Sequence, residues 1–168
     1  MAAPDSARAW IEALGLQAHP EGGWYREVYR SPERVAAEGL PERYTGPRSL
    51  GTSIYFLMTG DRPTRFHRLR SDETWHFHAG SGAVVHLLIE GAGYARGLVG
   101  LDVDAGERPQ VQIPRGAWFA ATVNDPDGYT LVGCTVQPGF EFEDFELGQR
   151  DALLASFPDH RDVILRGT

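Results

Sequence analysis

Between Phe66 and Gly80 the chain holds three of its six histidines, His67, His76 and His78, together with Glu73. An imidazole and a carboxylate on adjacent strands can share a divalent cation or pass a proton to and from a substrate carbon. His67 and Glu73 are therefore the candidate catalytic residues. Strand alternation places Glu73, Trp75 and Phe77 on one face and Thr74, His76 and His78 on the other. If Glu73 points inward, His76 and His78 reach the same site only through a β-bulge between Glu73 and His76. An outer face or a subunit interface is their expected place. His86, in the apolar run Val84 to Ile89, is a candidate for supporting the site from behind. A lone strand histidine is more often a satisfied core or interface group.

Arg62, Arg65, Arg68 and Arg70 crowd the same region and would favour an anionic ligand such as a carboxylate or phosphate. Arg65 shares the parity of His67, whereas Arg68 and Arg70 fall on the other face. Tyr55, Trp75, Trp118 and Phe119 are candidates for the apolar walls of a ligand pocket, with Arg65 holding the anion. Three weaker motifs read as turns or structural residues. Gly91 to Gly97 has its third glycine one place late for a nucleotide loop and no helix behind it. Asp102 to Gly106 lacks the downstream glutamate of a calcium loop. Cys134 sits in an apolar run with no evident activating partner.

These residues need a β framework to position them. From Trp24 to Val136 short β-branched and aromatic runs alternate with Gly, Pro, Asn and Asp, which predicts an all-β sandwich or barrel over about 24–137. The expected strands are 24–29, 52–58, 64–69, 73–78, 83–89, 94–101, 111–113, 118–123 and 129–136. Asp5 or Ser6 can cap a short N-terminal helix whose Trp10, Ile11 and Leu14 share a face and which Gly15 ends. Leu147, Leu153, Leu154 and Phe157 at near-helical spacing predict a helical C-terminal segment over about 147–166, packed outside the barrel. The stretch from Glu38 to Gly51 reads as a surface loop. The 168 residues suit one domain.

Sixteen basic against twenty-three acidic residues give a net charge of −7. That balance argues against nucleic-acid and anionic-membrane partners and leaves a small molecule as the expected one. All the basic residues are arginine, so lysine Schiff-base and lysine-base chemistry is excluded. One cysteine, no leader pattern and no apolar run long enough to span a bilayer lead to the expectation of a cytoplasmic protein.

The spacing His67, Glu73, Gly80 resembles the first signature of the cupin superfamily, His-x-His-x3-Glu-x6-Gly, with Leu69 in the second histidine slot. Pro114 to Phe119 resembles the second signature, with Phe119 in its histidine slot. The segments His19 to Glu27, Thr52 to Leu57 and Val136 to Phe145 look like the small bacterial and fungal cupin type-five family, a domain of unknown function. The similarity runs from about Leu16 to Leu165. It implies a double-stranded β-helix jelly roll, a homodimer, and one pocket per barrel between the sheets. Open sheet edges, with the strand near Trp24 to Tyr29 covering a neighbour's, support the dimer physically. With two of the four implied metal ligands apolar, no cofactor is expected beyond a weakly held divalent cation at His67 and Glu73. The leading expectation is a binder of a small polar or anionic metabolite that isomerises it without a tightly held metal. His67 would act as base and Tyr25 or Tyr55 would return the proton. A metal-dependent oxygenase or isomerase and a non-catalytic binder are the alternatives.

Overall fold

A computed structural model describes residues 6–61 and 63–168; Asp5 and Arg62 lie outside them. Two antiparallel sheets face each other. The larger runs β1 (Gln17–Ala18), β2 (Trp24–Arg30), β5 (Thr52–Thr59), β12 (Tyr129–Gln137), β7 (Asp72–Gly80), β10 (Gln110–Ile113). The smaller runs β13 (Phe145–Leu147), β6 (His67–Leu69), β11 (Trp118–Val123), β8 (Ala83–Ile89), β9 (Gly93–Val99). A short hairpin, β3 (Arg34–Val35) with β4 (Arg48–Ser49), lies beside them. This is the expected jelly roll.

The period-two alternation of apolar residues decides which side chains meet. Phe56, Met58, Trp75, Val85, Leu87, Phe119, Val132 and Cys134 point between the sheets and form the central core. Several of their neighbours in sequence, Tyr55, Leu57, Leu88, Trp118, Ala120 and Leu131 among them, point away and are covered by helical segments. Helix α1 (Ala7–Leu14) begins at Ser6, whose Oγ accepts the Ala9 amide at 3.3 Å, and ends at Gly15 with φ +60. Its Trp10, Ile11 and Leu14 cover Leu57, Leu131 and Tyr55 on the back of the larger sheet. Helices α2 (Arg150–Ser156) and α3 (Arg161–Arg166), with Phe157 between them, lay Leu153, Phe157 and Ile164 on Phe66, Leu88, Trp118 and Ala120 behind the smaller one. No helix among the described residues is long and apolar enough to cross a membrane.

Two expectations change. The segment from Glu38 to Gly51 is not simply surface loop: Arg48 and Ser49 end it as a strand and are buried. The strand expected from Thr64 begins only at His67, because the preceding backbone finds partners outside the ladder. The amide of Arg65 donates to the Glu21 carbonyl and that of Phe66 to Gly167, each at 2.7 Å.

Gly80, the last position of the first signature, closes β7 at φ +92, and a Cβ there would lie 2.0 Å from the Tyr129 carbonyl oxygen. Both the backbone conformation and the approach of β12 demand glycine. Gly80→Ala is expected to cost about 2 kcal/mol of unfolding free energy in urea titrations. An unchanged midpoint would show that the turn relaxes freely around a side chain.

Candidate active site

The larger sheet builds one wall of a cavity of about 290 Å³ from consecutive inward rows. One row aligns Tyr25, Phe56 and Val132; the next aligns Glu27, Ile54, Cys134 and Trp75; the third aligns Arg30, Thr52, Val136 and Glu73. Tyr25, Phe56, Glu27, Ile54, Cys134 and the whole third row line the cavity. Simple alternation after Glu27 would turn Tyr29 inward. A register shift between Glu27 and Tyr29 brings Arg30 in instead and leaves Val28 and Tyr29 exposed. The smaller sheet contributes His67 and Leu69, and β13 hydrogen-bonds to β6 with Phe145 opposite Leu69. That pairing delivers Phe140, Glu141 and Phe142 to the cavity wall as well.

Glu21 arrives from the turn between β1 and β2. The Gly22 amide donates to the His19 carbonyl at 3.0 Å and the His19 amide to the Gly23 carbonyl at 3.1 Å. Gly23, at φ +72, lies so close to the Leu57 carbonyl that a Cβ would sit 2.6 Å from its oxygen. The turn buries the Glu21 carboxylate, whose Oε2 stands 2.9 Å from His67 Nε2 and 3.3 Å from His19 Nδ1. The other ring nitrogen of His67 donates to the Arg65 carbonyl at 2.8 Å.

This arrangement sets the protonation states. Burial would raise the Glu21 pKa, but His67 and His19 outweigh it and hold the group down at about 2. Burial opposes the His67 charge in the same way, and the Glu21 carboxylate overrides it, so the imidazole pKa is raised. Glu73 makes no direct ion pair, and feels the His67 charge only at longer range. Burial, reinforced by the neighbouring Glu21 charge, pushes it up to about 7 despite the His67 charge, the Trp75 indole N–H donated at 3.0 Å and the Cys134 thiol. Burial and the same two carboxylates keep the Cys134 thiol protonated. The cavity therefore holds a fixed ion pair and, beside it, a carboxyl group that exchanges its proton near neutrality.

His67 and Glu73 thus meet in one cavity as expected, and the sequence reading missed Glu21 and the Phe140–Phe145 wall. Of the expected pocket walls, Trp75 and Phe119 stand behind the site: Trp75 holds Glu73, and the Phe119 ring lies 3.9 Å from that of His67. Tyr55 and Trp118 do not reach the cavity, because their strand neighbours Phe56 and Phe119 take the inward positions. The Arg65 side chain is exposed; only its carbonyl serves the site. Arg68 and Arg70 line a separate cleft with Arg43, Arg115 and the acidic Glu143, Asp144 and Glu146. Support for an anionic ligand is lost with them. Between Glu73 and His76 the pairing of β7 with β12 is regular, so His76 and His78 stay outside; His76 Nε2 meets Thr135 Oγ1 at 3.0 Å. His86, also outside, is satisfied by Tyr94 at 2.8 Å and Thr122 at 2.9 Å.

The donors do not fit a tightly held divalent cation. Both His67 nitrogens are engaged, Leu69 faces the cavity, and Phe119 covers the imidazole.

Residues 8–148 match the model of a family described as "Cupin superfamily (DUF985)". An uncharacterized protein of Saccharomyces cerevisiae, YML079W, is 31% identical over 161 residues, covering 84% of this chain and 74% of that one. The crystal structure of SO0799 from Shewanella oneidensis shares 41% identity and a TM-score of 0.86, over 98% of each chain. That of a hypothetical protein from Leishmania major shares 39% identity and a TM-score of 0.87, over 98% of this chain and 99% of the other.

Proposed function

This chain belongs to the DUF985 family of the cupin superfamily, and from that premise we propose that its barrel cavity binds a small polar metabolite and isomerises it by proton transfer, with no resident metal. The observation that carries this reading is Glu73: a buried carboxyl at the cavity wall, with a pKa of about 7 and an ion pair fixed beside it. A general acid or base works best when its pKa lies near the working pH. Glu73 takes a proton from a carbon next to a carbonyl. His67 is a positioning residue, since both of its nitrogens are spent on Glu21 and on the Arg65 carbonyl. Tyr25 lines the same cavity from β2. The tyrosine hydroxyl returns a proton to the same enolate carbon from its opposite face, and both groups then regain their starting protonation from solvent.

The test has two stages. Small carbonyl metabolites are screened by amide chemical shifts, with the expectation that hits perturb β5, β7 and β12. Each hit is then held in D2O, where wild-type protein is expected to catalyse deuterium uptake next to the carbonyl and Glu73→Gln to lose at least about 100-fold of that rate. Hits confined to the outer surface would remove the cavity from the reading. Cavity binding without exchange would leave a binder and remove the isomerase.

A further inference from the structure

Arg30 and His67, two of the nitrogen donors at the cavity, are already committed, and His19 turns its Nδ1 to Glu21. Arg30 grips Glu27 with Nε at 3.1 Å and Nη2 at 2.8 Å, and Glu141 with Nη1 at 3.0 Å; its Nη2 also donates to the Phe140 carbonyl at 2.9 Å. His67 is spent on Glu21 and the Arg65 carbonyl. Against these, four carboxylates, Glu21, Glu27, Glu73 and Glu141, line the same space. An anion entering here would meet these acidic groups while the Arg30 guanidinium and the His67 imidazole are already engaged by protein acceptors. A cation would find acceptors whose lone pairs are not all used.

The aromatic wall has matching geometry. The rings of Phe140 and Phe142 stand 5.0 Å apart at 79°, those of Phe142 and Phe145 6.4 Å apart at 76°, and those of Phe140 and Phe145 6.5 Å apart at 69°. Three rings at near right angles form a corner, and His19 lies against Phe142 with its ring nearly parallel, at 24°. Ring faces attract cations through their quadrupole, and more strongly where water is excluded. Phe142 is 54% exposed, so its ring is accessible to a ligand entering the cavity.

Resting on the reading of this cavity as a ligand site, we propose that its ligand is a small organic cation, a compact apolar group bearing an ammonium or guanidinium, seated in the Phe140, Phe142 and Phe145 corner and held by the cavity carboxylates. The cationic group anchors the molecule, and the reacting carbonyl end extends toward Glu73.

Calorimetric titration with three probes of one shape tests the charge: benzylammonium, benzyl alcohol and benzoate, each with wild type and with Phe142→Ala. Phe142 is exposed enough for its truncation to leave the fold intact. Benzylammonium is expected to bind at least about tenfold tighter than the alcohol, a difference readily resolved by titration, with benzoate the weakest. Phe142→Ala should weaken the ammonium several-fold more than the alcohol. Benzoate or the alcohol binding as tightly as the ammonium would overturn the inference and leave the cavity as a site for another class of ligand. An equal loss of ammonium and alcohol in Phe142→Ala would reduce the aromatic corner to apolar packing and also overturn it. If none of the three binds, the cation assignment fails, while the reading of the cavity itself stands or falls on the carbonyl screen.

Discussion

Arg48→Met is expected to destabilise the protein by about 3–5 kcal/mol, the usual cost of stripping the partner from a buried charge. The Arg48 side chain is 1% exposed and grips Asp144, itself 2% exposed, through Nε to Oδ2 and Nη2 to Oδ1, both at 2.7 Å. Its Nη1 donates to the carbonyls of Gly46 and Pro47, and its guanidinium lies over the Tyr44 ring. Without Arg48 the Asp144 carboxylate keeps only Arg70, at 3.7 Å, as a charged neighbour. Asp144 closes the 3-10 turn Phe142–Asp144 and precedes Phe145, so the ion pair also fixes the aromatic wall of the cavity. Urea titrations should show the loss for Arg48→Met and recover most of it in Arg48→Met/Asp144→Leu, because an apolar pair removes the orphaned charge. If the single variant loses under about 1 kcal/mol, water reaches Asp144 and the anchor is weaker than its geometry implies.

How far such a site can be read from sequence depends on whether its contacts are local. His67, Glu73 and the outward turn of His76 and His78 follow from spacing and strand parity, both short-range properties. Parity also held the correction for Tyr55 and Trp118, since two consecutive strand residues cannot both face a cavity. It fails for Arg65, because parity has meaning only inside a ladder and the Arg65 backbone bonds to Glu21 instead. Arg30 was hidden for a related reason: one extra residue at the register shift in β2 reverses which side chains point in. Glu21 had a faint local signal, a carboxylate before two glycines at the start of a strand, whose meaning depends on β6 lying opposite. Phe145 reaches the cavity by pairing with Leu69, a contact between residues far apart in the chain that no local pattern announces. The fold was more legible than the site because alternation and turn residues recur along the whole chain, whereas the cavity is assembled where distant segments cross.

Glu73→Gln is expected to make the protein more stable at pH 8, by about 3 kcal/mol, and to leave it nearly unchanged at pH 4. In the native state the Glu73 pKa stands at about 7, against 4.5 as its ordinary value. As pH rises from about 4.5 toward 7 the unfolded chain ionises this group while the folded protein keeps it neutral. A raised native pKa therefore contributes stability that is whole below 4.5 and lost by about 7, at about 1.4 kcal/mol for each pKa unit. Glutamine carries no proton to lose and can still accept the Trp75 indole N–H, so the variant should show no such decline. Glu21 does not confuse the comparison: its lowered pKa contributes stability that is whole above 4.5 and lost only as pH falls toward about 2. His67, with its pKa raised above 6.5, adds stability that fades as pH climbs through that raised value, and the larger part of this, owed to Glu21 and the Arg65 carbonyl, persists in the variant. Urea titrations at half-unit steps between pH 4 and 8 separate the two contributions. Parallel profiles for wild type and variant would mean that Glu73 is already ionised at pH 5, and the proton-transfer role would lose its physical basis. A profile flattened in the variant between pH 4.5 and 7 would place the cost of burying Glu73 without a direct ion pair where a general acid and base needs it, a stability sacrificed at the cavity wall.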